Sequence, residues 1–105
     1  MQPLISTTKE VHYMKSEYKK LRNLLEDLDD WVMKINADFE PDRREIQEVR
    51  KKEREINQEL ESLKNSGKLS SGKVEEMSAV VALIRGRNGR SPALLEALKK
   101  QVEKL

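Results

Sequence analysis

The sequence contains no cysteine and one histidine, and aromatic residues make up only 4% of its 105 residues. Without cysteine the chain forms no disulfide and offers no thiolate for catalysis or for metal binding. The histidine, His12, has no cysteine or second histidine near it, and no glycine-rich phosphate loop or zinc-binding histidine pair is present. The sequence therefore predicts no metal, no cofactor and no enzymatic activity.

Long apolar runs are also missing. The longest uncharged stretch of the second half, MSAVVALI at 77–84, is far shorter than the roughly 20 residues that span a bilayer. The first ten residues lack a basic segment followed by an apolar core, so they do not indicate a signal peptide. We therefore expect no membrane span and a cytoplasmic protein, with the nucleus as the alternative location.

Charged residues are abundant, at 38% of the chain against 36% hydrophobic residues, and the net charge is only +2. Helical bundles, coiled coils and disordered chains share such a composition, but disordered chains lack regular apolar spacing. Residues 85–105 hold six basic and two acidic residues, an excess of +4. This excess is small for a nucleic-acid-binding protein, so nucleic acid is not the favoured partner.

Apolar residues in the first third recur in alternating steps of three and four, as on one face of a helix. Thr7 and Glu10 have the spacing of a capping box, and Pro41 ends the pattern, so we predict a helix at about 8–38. Leu24 and Trp31 widen the apolar stripe, which suits a helix with two neighbours. The seam comprises Val11, Met14, Tyr18, Leu21, Leu25, Leu28, Val32, Ile35 and Phe39, and Trp31 is predicted to join the core.

A second helix is predicted at about 42–65, with an outer face rich in both signs of charge. Asn65-Ser66-Gly67 supplies its end. Glu53 occupies a seam position, where it either pairs with a cation of a neighbouring helix or lies near the edge of the bundle in water. The second interpretation is preferred because charges are seldom fully buried. The predicted core residues of this helix are Ile46, Val49, Ile56, Leu60 and Leu63.

The last third continues the same spacing on both sides of a break, so helices are predicted at about 73–86 and 91–105. Gly86, Gly89 and Pro92 disfavour a continuous helix, but the spacing does not decide between a kink and a turn. Short connections between helices favour an all-α, antiparallel up-down-up bundle of three helices, with the third helix broken near 86–92. One domain spans 1–105, and a self-associating coiled coil is the alternative. The predicted core residues here are Val74, Met77, Val81, Ile84, Leu95, Leu98 and Val102.

Two charged clusters are the candidate partner-binding residues. Arg85, Arg87 and Arg90 are suited to contact an anion or an acidic protein, but they also fit a soluble linker whose arginines offset the dipole of the preceding helix. The second cluster lies in the sequence LEDLDD at 25–30, and its members Glu26, Asp29 and Asp30 are expected on a solvated face that attracts a basic partner.

The stretch LEDLDDWVMKI at 25–35 resembles the first helix of a spectrin-type repeat, with Leu28, Trp31 and Val32 matching the family's leucine-tryptophan-aliphatic pattern. VRKKEREINQEL at 49–60 is similar to the second helix of such repeats. The resemblance implies a cytoskeletal or scaffold module without catalytic residues. The sequence thus favours a structural or protein-interaction module with helical partners. The alternatives are a nucleic-acid-associated protein, which would use the basic C-terminal segment, and a coiled-coil oligomerisation domain.

Overall fold

The computed structural model describes residues 16–37, 40 and 42–105. The predicted start of the first helix near residue 8 lies outside these residues, as do His12, Pro41 and the seam residues Val11, Met14 and Phe39. Across the described residues the protein is all-helical and contains no β-strand, in agreement with the predicted fold class. None of the described helices is both long enough and apolar enough to cross a membrane.

A single 3₁₀ turn, Ser16–Tyr18, leads into four α-helices within the described residues. Helix α2 begins after Asp42, whose side chain accepts a hydrogen bond from the Glu45 amide at 2.9 Å. Helix α3 begins after Ser70, whose hydroxyl accepts from the Lys73 amide at 3.2 Å. Such caps satisfy amides that have no partner within the helix. The helices are α1 (Lys19–Ala37), α2 (Arg43–Asn65), α3 (Ser71–Gly86) and α4 (Pro92–Glu103).

Side-chain contacts show that α1, α2 and α3 alternate in direction. Lys20 Nζ lies 3.8 Å from Glu59 Oε1, and Lys52 Nζ lies 3.6 Å from Asp27 Oδ2. Residue numbers therefore rise along α1 while they fall along α2. The Ser78 hydroxyl donates to Asn57 Oδ1 at 3.2 Å, which places the first half of α3 beside the second half of α2. The short loops leave no room for a crossover, so neighbouring helices run antiparallel.

The chain also reverses between α3 and α4. Lys99 Nζ of α4 lies 3.4 Å from Asp29 Oδ2 of α1, while the Asn36 side chain donates from Nδ2 to the Gly89 carbonyl at 2.7 Å. Residue numbers rise along α4 as they fall along α1, so α4 is antiparallel to both α1 and α3. The predicted third helix is therefore corrected to two helices, and the break near 86–92 is a turn and not a kink.

The backbone of residues 87–91 accounts for this reversal. Asn88 and Gly89 both adopt positive φ angles, of 51° and 76°, which end a right-handed helix. The Gly89 amide donates to the Ile84 carbonyl at 3.1 Å, so it closes the last turn of α3. Pro92 then occupies the first turn of α4, where its missing amide leaves no helical hydrogen bond unmade. The two glycines and the proline that mark the break in the sequence are thus the residues of a turn and its flanks.

The core lies between the four helices and contains most of the described seam residues, with Tyr18 partly buried against it. Trp31 and Ile46 are only partly buried and pack against the edge of the core, whereas all the other predicted core residues are buried. Leu24, noted as a widening of the stripe, is buried, and so is Leu69 of the α2–α3 loop, which the sequence did not predict. The Trp31 ring lies under Lys34, whose Nζ is 4.4 Å from the ring centroid. Trp31 therefore contacts both the edge of the core and a cation.

Glu53 is in the core and not at its edge, so the preferred interpretation of this residue is wrong. It is only 1% exposed, and neither carboxylate oxygen has a hydrogen-bond partner. Burial raises the pKa of Glu53 from 4.5 to about 7, although Arg85, Arg50 and Arg54 act in the opposite direction. The heptad pattern correctly predicted a seam position for Glu53. The expectation that its charged side chain would remain in water was wrong.

Candidate functional site

The acidic cluster of α1 is largely used to join helices. Asp29 forms its ion pair with Lys99 of α4, and Asp27 forms an ion pair with Lys52 of α2. Glu26 and Asp30 are exposed. Glu26 and Asp30 are four residues apart, so they are neighbours on the outside of α1. Within the described residues, however, no three acidic or histidine side chains converge as metal ligands would. Two of the four acids therefore support the fold, and the other two leave only a small exposed acidic pair.

The arginine cluster is likewise divided between the fold and the surface. Arg90 Nη1 donates to the Ile35 carbonyl at 3.3 Å, near the C-terminal end of α1, where a cation offsets the helix dipole. A fourth arginine, Arg50 of α2, donates from Nη2 to Asn88 Oδ1 at 3.1 Å. These two side chains hold the 87–91 turn against α1 and α2. Arg90 therefore has a structural role, and it is not grouped with a binding surface.

Arg85 and Arg87 are both exposed at the C-terminal end of α3. Helical geometry turns Arg85 toward α2, where its positive charge lowers the pKa of Glu53. Arg87 occupies the C-cap position of α3, on the side of the helix that faces away from the core. The three arginines of the predicted cluster thus have three different surroundings.

A surface that the charged clusters did not reveal lies on the outside of α3. Ala79, Ala82 and Leu83 are exposed there, and Leu83 retains 53% of its accessible surface. Residues three and four apart on a helix are neighbours, so these three side chains form one apolar patch. Single exposed leucines are common, but contiguous apolar patches indicate interaction sites. We call the exposed residues Gly72, Glu75, Glu76, Ala79, Ala82, Leu83, Gly86 and Arg87 the α3 outer face.

Charge is present only at the two ends of the α3 outer face. Glu75 and Glu76 lie at its N-terminal end, Arg87 lies at its C-terminal end, and residues 77–84 carry no charge. The sequence contains the signal, since MSAVVALI is apolar at its core positions and, apart from Ser78, also at the positions between them. That run excluded a membrane span by its length. It also indicated a helix without a polar side, whose outer face needs an explanation.

The described residues also line concave sites. One of them, of about 570 Å³, lies beside Gln58, Glu61, Ser62, Asn65 and Ser66, and it is so open to solvent that it does not enclose a ligand. A groove between α1 and α4 encloses about 90 Å³ and is lined by Arg22, Leu25, Glu26, Lys99, Val102 and Glu103. Pockets that bind small molecules usually have volumes of about 300–1,000 Å³. The arrangement of the described residues is therefore better suited to contact between surfaces than to enclosure of a ligand.

Comparisons of the chain with protein-family models, with curated proteins and with solved structures find no match. The resemblance of Leu28, Trp31 and Val32 to a spectrin-type repeat stays a prediction.

Proposed function

We propose that the chain is a non-catalytic helical module that binds other proteins, and that the α3 outer face is its principal binding surface. The observation that carries this proposal is the exposed Leu83 at the centre of an uncharged patch on an otherwise charged molecule. Full burial of a leucine side chain is worth about 1.5–3 kcal/mol, so covering the exposed half of Leu83 contributes on the order of 1 kcal/mol. In the proposed complex, a bound protein covers the exposed part of the Leu83 side chain.

A helical partner fits the shape of this surface. Ala79, Ala82 and Leu83 form a short straight stripe, with glycine at position 86 and no large side chain to interrupt it. An amphipathic helix binds such a stripe with its own residues at steps of three and four. The charges at the two ends of the α3 outer face then determine in which direction the partner runs.

Binding to nucleic acid is supported less well by the same structure. Of the six basic residues in 85–105, Arg90 donates to a backbone carbonyl and Lys99 pairs with Asp29 and Glu96. Those that remain exposed form two pairs, Arg85 and Arg87 at the end of α3 and Lys100 and Lys104 at the end of α4, so they are divided between two helix ends. Phosphate recognition requires cations that face one groove or strand together.

A role within a larger cytoskeletal or scaffold protein is part of the proposal, and its support is the sequence resemblance alone. Leu28 and Val32 are buried and Trp31 packs against the core, so none of these three residues is offered as a binding residue. A scaffold function would use the bundle as a spacer and the α3 outer face for docking. The binding proposal does not depend on the resemblance.

The test uses the immobilised chain to capture proteins from a cell extract, in three forms. Leu83→Glu places a charge at the centre of the α3 outer face. Met33→Glu is the matched control, because Met33 is 63% exposed on the outside of α1. We expect the wild type and Met33→Glu to retain the same proteins, and Leu83→Glu to lose them. Circular dichroism checks that both variants keep their helix content.

Two outcomes would contradict the proposal. Capture that survives Leu83→Glu would show that the α3 outer face is not the binding surface. Capture that is abolished by treatment with nuclease would show that nucleic acid carries the interaction. A capture that is stable to nuclease and sensitive only to Leu83→Glu supports the proposal.

A further inference from the structure

We propose that the α3 outer face pairs with the same face of a second copy of this chain, the two helices running antiparallel about a twofold axis. This inference rests on the proposed function, and it names one partner for the surface described above. It is argued from the order of charges on α3, from the register that this order requires, and from the small residues along the stripe.

The order of charges on α3 favours an antiparallel pair. Glu75 and Glu76 directly precede the uncharged stretch 77–84, Arg85 and Arg87 directly follow it, and the remaining charge of α3, Lys73, lies to the side of the α3 outer face. In an antiparallel pair the acidic end of each helix lies beside the basic end of the other. In a parallel pair the acids of the two copies would face each other, and so would the arginines, at a cost in free energy.

One register satisfies the apolar and the charged residues together. Residue 81 is the midpoint between Ala79 and Leu83, and the midpoint between Glu76 and Arg87 lies only half a residue further along the helix. A twofold axis at this level places Leu83 of each copy on Ala79 of the other. Glu76 and Arg87 lie on the same side of α3, so the axis also places Glu76 of each copy opposite Arg87 of the other, about 8 Å from the axis at a rise of 1.5 Å per residue. Every contact then occurs twice, as a twofold interface requires.

Small residues on the α3 outer face leave room for a second helix. Gly72, Ala79 and Gly86 follow one another at intervals of seven residues, so they lie along nearly the same line of the helix. A Cβ atom added at Gly72 or at Gly86 would meet no atom within 4 Å. Packing within the chain therefore does not require glycine at either position, whereas the close approach of another backbone would favour it.

The paired charges are available for such an interface. In the part of the chain that the structure describes, neither Glu76 nor Arg87 forms an ion pair. The interface would be about three helical turns long, which is smaller than the roughly 800 Å² per partner of a stable complex. We therefore expect weak and reversible dimers, which weaken further when salt screens the terminal charges.

The experiment measures the mass of the purified chain by sedimentation equilibrium from about 10 μM to about 1 mM, a range in which small interfaces associate. Glu76→Arg leaves a basic residue at both ends of this side of the stripe, and Arg87→Glu leaves an acid at both ends. We expect each variant to dimerise about tenfold more weakly than the wild type, and an equimolar mixture of the two to regain association. Asp30→Arg and Lys51→Glu, exposed on α1 and α2, are the matched charge controls and should change little.

A variant that fails to fold cannot restore association in the mixture, so the recovery of the mixed dimer does not depend on a negative result. A wild-type chain that stays monomeric over the whole range would overturn the self-pairing, and so would a mixture that associates no better than its components. Neither outcome would change the conclusion drawn from the capture experiment with Leu83→Glu, because that experiment tests the binding of other proteins.

The absence of native cysteine allows a second measurement of the register. A single Ala79→Cys substitution places one thiol on each copy close to the proposed axis. Met33→Cys provides a thiol of similar exposure on the outside of α1. With a short thiol-reactive cross-linker, we expect Ala79→Cys to form covalent dimers at least about tenfold faster than Met33→Cys, since a specific contact raises the effective concentration to the millimolar range. Equal rates would contradict the proposal.

Discussion

Helices α2 and α3 pack side by side, and they distribute charge in opposite ways. The outer face of α2 carries residues such as Arg50, Lys51 and Arg54, and Glu53 lies in the core at 1% exposure. Helix α3 has apolar residues in the core and apolar residues on its outer face, with no charge between 77 and 84. The charged outer face of α2 is well solvated. The outer face of α3 is apolar, so covering it lowers the free energy of the system.

This difference separates two requirements that a helix of a bundle usually meets together. A helix needs one apolar stripe to join the core, and a polar opposite face keeps the molecule soluble. Helix α2 meets the second requirement fully and departs from the first at Glu53. Helix α3 meets the first requirement fully and departs from the second at Leu83. The two departures have different consequences, because Glu53 affects the stability of the chain and Leu83 affects what the chain contacts.

The largest expected effect compares two adjacent residues of α3. Ile84 is fully buried and Leu83 is 53% exposed. Ile84→Ala removes buried methyl groups and leaves a cavity, so we expect it to lower the free energy of unfolding by about 2–5 kcal/mol. Leu83→Ala should change it by less than about 1 kcal/mol. Chemical unfolding followed by circular dichroism measures both, and a loss of similar size for Leu83→Ala would remove the distinction between the inner and outer faces of α3.

The next effect concerns the buried charge of α2. Because burial raises the pKa of Glu53 from 4.5 to about 7, the folded protein binds this proton more tightly than the unfolded chain does. The contribution of Glu53 to stability is therefore complete below pH 4.5 and is lost as the pH rises through about 7. A shift of this size corresponds to about 3 kcal/mol.

Glu53→Gln tests this linkage, since glutamine does not titrate. We expect the free energy of unfolding of the variant, measured relative to the wild type at each pH, to rise by about 3 kcal/mol between pH 4.5 and pH 8.5. The other ionisable groups are common to both proteins, and their pH dependence cancels in the difference. A difference that stays constant over this range would show that Glu53 is accessible to water in the folded protein.

The sequence predicted the helices and the core because both follow from the spacing of apolar residues. Steps of three and four identified seam residues such as Leu28, Ile56 and Ile84, and these are fully buried. Leu69 escaped prediction because a loop has no periodicity, so its burial depends on where the loop folds. Trp31 was predicted in the core and lies at its edge, where a wide stripe and the Lys34 cation meet.

The remaining features depend on which residues tertiary structure brings together. The charged clusters were conspicuous in the sequence, but Asp29 and Arg90 have partners 70 and 55 residues away. No local pattern reveals such partners. The segment 87–91 could be a kink or a turn, because the apolar positions before and after it stay in phase. Only the contacts of α4 with α1 show that the chain reverses there. The exposure of Leu83 was not predicted, because a helix with apolar residues on both faces does not itself indicate which face is covered.

Glycine substitutions give a smaller effect and test whether the α3 outer face is open in the free chain. At Gly72, where an added Cβ meets nothing within 4 Å, alanine should stabilise the monomer by up to about 1 kcal/mol. At Gly89, with φ of +76° and Val32 Cγ2 at 3.5 Å from an added Cβ, alanine should destabilise by about 1–2 kcal/mol. Thermal unfolding at low protein concentration compares the two. Destabilisation by Gly72→Ala under these conditions would mean that α3 is covered within its own chain.

The smallest effect concerns the charged outer face of α2. Lys64 Nζ lies 3.1 Å from Glu61 Oε1, three residues earlier on the same helix. Both side chains are solvated, so Glu61→Gln should cost at most about 0.5 kcal/mol, and salt should reduce even this value. Denaturant unfolding in low and high salt measures it. A loss above about 1 kcal/mol would show that the surface charges of α2 stabilise the fold. A small loss would indicate that the surface charges of α2 mainly keep this face solvated. In the proposed dimer the outer face of α2 would then remain in water, while that of α3 is buried.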